Sequence, residues 1–165
     1  LPSGKTLVVA APGNLPPPSK RGDVFRQAAV KALDTLSRNP NGFFLMIEGS
    51  NIDKAAHSNN LEEMMEELLD FDRTAGAVLD WASKHPGTLV VITADHNTGA
   101  FALTGGSREQ GEITGRFGSG SHDGVAVPVY AFGAGSGDFT GIYENTDIFN
   151  KIMNAFKKGA DKPVR

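Results

Sequence analysis

Six side chains able to bind a metal stand out in this sequence: Glu48, Asp53, His57, Asp95, His96 and His122. The chain has no cysteine, which excludes disulfides and thiolate metal sites. Any ion would therefore be held by imidazole and carboxylate, a donor set that suits zinc or magnesium. Asp53 and His57 lie four residues apart. On a helical turn that spacing brings their β-carbons to about 5–6 Å, close enough to share one ion, although a solvated helix start would read the same way. Asp95 and His96 are neighbours at the end of an apolar run. Successive strand residues point to opposite faces, so both reach one ion only where the chain turns. A turn capped by Asp95 beside an exposed His96 is the alternative. His122 sits in the glycine-rich run Gly118-Ser119-Gly120-Ser121-His122-Asp123-Gly124, where a lone histidine is usually just solvated. Glu48 taken singly also reads as an exposed carboxylate. His85 is a useful contrast, because it stands in a helix-ending turn where a cation is favoured without any ligand role.

The elements that must position these residues follow from hydrophobic periodicity. Residues 5–10 read as a short buried strand, and Pro12, Pro16, Pro17 and Pro18 with Lys20-Arg21-Gly22 read as a loop. From Asp23, an expected N-cap, the positions of Phe25, Ala28, Ala29, Ala32, Leu33 and Leu36 keep helical spacing to Arg38. Phe43–Ile47 is a continuous apolar run, the pattern of a strand buried on both faces. A second helix starts near Asn60 and ends at His85-Pro86-Gly87, with an apolar stripe through Leu61, Met64, Leu68, Leu69, Val78 and Ala82. Glu62, Glu63, Glu66 and Glu67 are assigned largely to its other face. Thr88–Thr93 and Val125–Phe132 predict further strands, residues 104–120 a long loop of the kind that is usually functional or disordered, and Asp147–Lys157 a closing helix.

Strands alternating with helices predict an α/β fold with a mostly parallel sheet and helices on both faces. In such sheets ligands bind beyond the carboxyl ends of the strands, which is where Glu48, Asp53, His57, Asp95 and His96 follow. At 165 residues the chain is read as a single domain over 1–165, with 1–22 as a peripheral strand and Pro-rich loop. A net charge of −3 offers no general attraction for nucleic acid or an anionic membrane, and no apolar run approaches the ~18 residues of a spanning helix. Because the chain opens at Leu1 rather than a methionine, a processed form is the expectation.

Taken together, these residues carry a specific resemblance. Glu48-Gly49-Ser50-Asn51-Ile52-Asp53-Lys54-Ala55-Ala56-His57 resembles the E-G-x-x-I-D-x-x-x-H segment of alkaline phosphatases, and Thr93-Ala94-Asp95-His96 resembles their T-A-D-H segment. Val127–Gly133 and Phe139–Tyr143 are similar to the closing region, and the likeness runs in the family's order from about Phe25 to Phe156. The resemblance implies that Asp53, His57 and His122 hold a first zinc, Asp95 and His96 a second zinc, and Glu48 a magnesium ion. It places Lys54 near the phosphate, through water. Two metals about 3.5–4 Å apart would clamp the attacking and leaving oxygens of a phosphate monoester. Export to the periplasm or outside, and a possible homodimer, come with the family.

Two departures bear on activity. Where the family usually has Thr after the counterpart of His122, this chain has Asp123, which could orient the imidazole or simply face solvent. The family's nucleophile lies in an Asp-Ser pair, and no Asp here is followed by Ser. The resemblance is thus to the C-terminal part of an alkaline phosphatase, with the N-terminal half as the missing partner and the isolated chain expected to be inactive. Alternatives are an inactive metal-binding or partner-binding fragment, or a related two-metal enzyme of the phosphoglycerate mutase or sulfatase type.

Overall fold

The computed structural model describes residues 10–11 and 13–160. Of the strand expected over residues 5–10 only Ala10 falls within them, in a bend. In chain order the elements are helices α1 (Pro18–Arg21), α2 (Val24–Leu36), α3 (Ser50–His57) and α4 (Leu61–Ser83), then strands β1 (Leu89–Thr93), β2 (Asn97–Thr98), β3 (Ala102–Ser107), β4 (Glu112–Arg116), β5 (His122–Asp123) and β6 (Val129–Gly133). A 3-10 turn at Ser136–Phe139 and helix α5 (Asp147–Ala160) complete the order. The chain divides into two compact units, one built from the residues up to Ala77 with Thr98–Asp123, the other from Val78–Asn97 and the residues from Gly124 onward.

In the first unit the methyl groups of Ala55 and Ala56 on α3 pack with Met64 of α4, and Ile52, Leu61, Phe101 and Phe117 close around them. Small residues on a short helix let its backbone come close to its neighbours, and here they hold α3 against the rest of the unit. Phe101 and Phe117 flank the β3–β4 pair, their ring centroids 4.9 Å apart. The expected long loop over 104–120 is largely this antiparallel hairpin, with Ala102 opposite Arg116 and Ser107 opposite Glu112. Both strands are exposed along nearly their whole length, so no apolar alternation marks them among the glycines, and the register is irregular at Leu103/Gly105.

Three expectations for the helical segments need correction. Lys20-Arg21 does not extend a loop but completes α1, with Pro18 in its first turn, where a missing N–H costs nothing. Asp23 precedes α2 without capping it through its side chain. Its carboxylate is taken instead by Arg26, whose Nε lies 2.7 Å from Oδ1, and by Gln27. On α4 the buried face runs through Met64, Glu67, Asp70 and Thr74, while Leu68 and Leu69 are exposed. Glu67 therefore faces inward, for a reason given below.

In the second unit β1 pairs antiparallel with β6, Leu89 opposite Gly133 and Thr93 opposite Val129. Gly133 has φ +90°, and a Cβ there would meet the Thr88 carbonyl oxygen at 2.2 Å. That carbonyl accepts the Ala134 N–H at 2.9 Å, which sets the turn leaving the strand. Phe139 is buried, its carbonyl accepts the Tyr143 hydroxyl at 3.1 Å, and Lys151 Nζ lies 4.2 Å from the Tyr143 ring centroid.

The strands thus form three two-stranded pairs among the described residues, and the registers of β1–β6 and β3–β4 are antiparallel. The mostly parallel sheet is not built by these residues. Phe43–Ile47 is not a strand here, although exposure alternates along it, with Phe44 63% and Met46 73% exposed. An apolar run of this kind needs a neighbouring strand at its edge to form a ladder, and cover on both faces to bury its side chains.

Candidate metal centre

Asp53 and His57 stand one turn apart on α3, and β5 brings His122 beside them. His57 Nε2 lies 3.0 Å from His122 Nε2 and 3.4 Å from Asp53 Oδ2, and His122 Nε2 lies 3.6 Å from Asp53 Oδ1. Ligands at about 2.0–2.1 Å from a tetrahedral zinc are separated by about 3.3 Å. The His57–His122 separation lies near that value, and the Asp53 carboxylate reaches each imidazole through a different oxygen. With one donor atom from each side chain the three lie within 4.8 Å of one another, and the donor set suits zinc in its chemistry. The side chains are about half-exposed, which leaves a fourth position open to water or a substrate oxygen.

Each donor has its own support. The Gly120 carbonyl can only accept, so the 2.8 Å contact with His57 Nδ1 places the proton on that nitrogen and leaves Nε2 of the neutral ring as an electron-pair donor. A Cβ on Gly120 would lie 3.2 Å from the His57 carbonyl oxygen, so glycine permits this close approach. Thr98 Oγ1, in a buried residue, donates to Asp53 Oδ1 at 2.6 Å. Just beyond Thr98, the Gly99 N–H donates to the Ser121 carbonyl at 2.9 Å, tying β2 to the loop that delivers His122. Gly99 has φ +80°, and a Cβ there would meet Phe117 Cδ1 at 2.8 Å and the Ala56 carbonyl oxygen at 3.0 Å. Asp123 Oδ2 accepts the Ala100 N–H at 3.0 Å, where Ala100 itself has φ +46°. The side chain thus braces the backbone of a left-handed turn.

The other expected site residues are placed as follows. Asp95 and His96 touch each other, Oδ2 to Nε2 at 3.1 Å, with Asp95 87% exposed. Glu48 is exposed and lines a cavity of about 60 Å³ with Gly49, Ser50, Asn51, Arg21 and Glu67. Lys54 Nζ donates to Asn14 Oδ1 and reaches Asn51 Oδ1 at 3.4 Å. His85 stacks on Trp81 with ring centroids 3.6 Å apart and its Nδ1 lies 2.7 Å from the Trp81 carbonyl oxygen, which accounts for it without an ion.

Residues 18–118 match the family model described as alkaline phosphatase. The chain belongs to the alkaline phosphatase family. Alkaline phosphatase 4 of Bacillus subtilis is 29% identical over an alignment covering 81% of this chain and 44% of that protein. The solved alkaline phosphatase from the Antarctic bacterium TAB5 superposes with a TM-score of 0.77 at 40% identity, covering 84% of this chain and 42% of that one. A His 135 Glu mutant of the TAB5 enzyme with Mg bound in its M3 site is similar at 39% identity and a TM-score of 0.76, over the same shares of the two chains. This chain therefore spans less than half the length of these relatives. The likeness gives the α/β class of the family. Among the described residues no helix is long and apolar enough to cross a membrane.

Sequence reasoning missed Thr98 and Gly120 as supports of the centre. Thr98 follows Asp95-His96 by two residues, so its nearness to them in sequence was a signal. The Gly120 contribution is a backbone carbonyl and leaves none.

Proposed function

We propose that this chain is the metal-holding portion of a phosphate monoesterase, with Asp53, His57 and His122 as the ligands of a first zinc. The observation that carries the reading is the convergence of those three donors at 3.0–3.6 Å with tautomer and carboxylate already oriented. Asp95 and His96 would supply a second zinc, Glu48 a magnesium ion, and Lys54 a water-mediated contact to the phosphate. When bound, zinc supplies a Lewis acid for a phosphate oxygen and lowers the pKa of its water to about 7.

The residues of the chain do the positioning. His57, with its proton held by Gly120, presents Nε2 and keeps the ring from rotating away. Asp53, with one oxygen engaged by Thr98, offers negative charge against the ion and cannot swing toward solvent at no cost. Phosphoryl transfer depends mainly on this kind of placement and on charge. No Asp-Ser pair is present in the chain, so the serine nucleophile would come from the rest of a full-length protein. The same addition would bring partner strands to Phe43–Ile47 and complete a mostly parallel sheet. Export and homodimer formation belong to this full-length reading.

The deciding measurement is zinc stoichiometry after dialysis, in wild type and in His57→Ala, His122→Ala and His85→Ala. One tight zinc, lost in the first two variants and kept in the third, supports the assignment. No bound zinc, or loss only with His85→Ala, overturns it. The isolated chain should show little turnover of an aryl phosphate at alkaline pH, and hydrolysis abolished by His57→Ala would contradict that.

A further inference from the structure

The inward-facing glutamate of α4 belongs to a buried polar cluster that reaches α3. Arg21 Nη1 donates to Glu67 Oε1 at 2.9 Å and Nη2 to Glu67 Oε2 at 2.7 Å, while Nε and Nη2 donate to Asp70 Oδ2 at 3.1 and 2.6 Å. All three side chains are at most 5% exposed. Burial alone would lower the pKa of the guanidinium, but the hydrogen bonds and charges of Glu67 and Asp70 outweigh it and raise the value. Two carboxylates face one buried guanidinium here, with the exposed Arg73 adding a contact to Asp70 Oδ1 at 3.3 Å. Such a cluster is held by geometry, because removing one partner leaves an uncompensated buried charge.

Glu67 Oε1 also accepts from Asn51 Nδ2 at 3.2 Å, and the same amide donates to the Leu15 carbonyl at 3.3 Å. Asn51 lies in the first turn of α3, two residues before Asp53. The residue before the helix, Gly49, is so close to α4 that a Cβ would lie 2.8 Å from Phe71 Cδ2. Helix α3 has only eight residues, so rotation at its first turn carries Asp53 and His57 with it. The packing of Ala55 and Ala56 holds α3 down, and the contacts of Thr98 with Asp53 and of Gly120 with His57 act further along the helix, whereas Asn51 acts at its first turn. The amide–carboxylate bond is directional. We propose that the Arg21–Glu67–Asp70 cluster, acting through Asn51, is a positioning device that sets the rotation of α3 and so the spacing of Asp53 and His57 from His122.

This inference rests on the metal reading of the triad, and its test separates the two. The 165-residue chain is titrated with cobalt(II), followed by visible absorption. In the metal-free chain the Nδ1–H proton resonance of His57, held by Gly120, reports the same geometry by NMR. Asn51→Ala leaves the ion cluster intact and removes the link, together with the contacts of the same amide to Leu15 and Lys54. It should weaken cobalt about 10-fold, the lower end for a residue supporting a metal ligand, and broaden the His57 resonance. Glu67→Gln should do both more strongly. Leu33→Ala, a buried truncation outside the cluster around Ala55 and Ala56, should lower the melting temperature while leaving both readouts unchanged. Wild-type affinity and resonance in folded Asn51→Ala would overturn the device, as would equal losses in Leu33→Ala. If Asn51→Ala does not fold, Glu67→Gln is compared with Leu33→Ala by the same criteria. If wild type binds no cobalt, the metal reading fails, and the His57 resonance alone decides whether the cluster positions α3.

Discussion

The hydroxyl of Thr98 gives the sharpest test of how the proposed first zinc site is held. It donates to Asp53 Oδ1 at 2.6 Å from a buried residue. Thr98→Val keeps the branched shape and removes only the donor. A hydrogen bond to a charged group contributes about 1.5–3 kcal/mol when both partners are shielded. The Asp53 side chain is 39% exposed, so water replaces part of the lost interaction and the lower end applies. A loss near 1.4 kcal/mol corresponds to about a 10-fold weaker zinc affinity.

The assay is competition of the purified chain against a chromophoric zinc chelator at fixed pH and ionic strength. Thr98→Ser, which restores the hydroxyl, should recover most of the affinity, and His57→Ala should abolish tight binding. If Thr98→Val binds within twofold of wild type while His57→Ala is dead, the hydroxyl does not orient the carboxylate and the reasoning from the 2.6 Å contact fails. If Thr98→Ser is as weak as Thr98→Val, the lost affinity comes from packing rather than from the donor.

Three further outcomes are expected. Gly99→Ala places a methyl at φ +80° against Phe117 and the Ala56 carbonyl and should cost about 2 kcal/mol or more in chemical denaturation, with an unchanged midpoint refuting the close approach. The hydrogen bond from Lys158 and its charge hold the Asp138 carboxyl below the usual range, so Lys158→Ala should return it upward in an NMR titration. Because that folded-state pKa is depressed, the pair favours the fold above the ordinary carboxylate pKa of about 3.9, and the benefit disappears as pH falls through the lower folded value. Zinc should raise the melting temperature of wild type but not of His122→Ala, with about 2.7 kcal/mol of added stability at a free zinc concentration 100 times Kd; a shift that survives in the variant would place the ion elsewhere.

How much of this was legible in the sequence depended on the kind of signal. The four-residue spacing of Asp53 and His57 falls on α3, and the apolar run 88–93 contains β1, because periodicity reports local geometry directly. The hairpin of β3 and β4 was read as a loop because four glycines lie within or between its strands. Glu67 was read as solvated because a helical wheel weighs residue type and cannot see Arg21, 46 positions earlier, arriving on the same face. Phe43–Ile47 shows the reverse limit: the run has the composition of a central strand, but a strand is a relation between segments and none forms at 43–47 among the described residues.

The division of labour between the two groups of ligands follows from the same contrast. Asp53, His57 and His122, with their supports Thr98 and Gly120, all belong to the first unit, and one donor atom from each lies within 4.8 Å of the others. Little conformational entropy remains to be lost when an ion enters there. Asp95 and His96 offer only two side chains, and an 87% exposed carboxylate must release its contact with His96 and give up its hydration before it can bind. A three-donor set with preset spacing should therefore load at far lower zinc concentration than a two-donor pair. On the proposed reading, metal occupancy of this chain is ordered, with the triad first, and the second ion waits for ligands that the rest of a full-length phosphatase would bring.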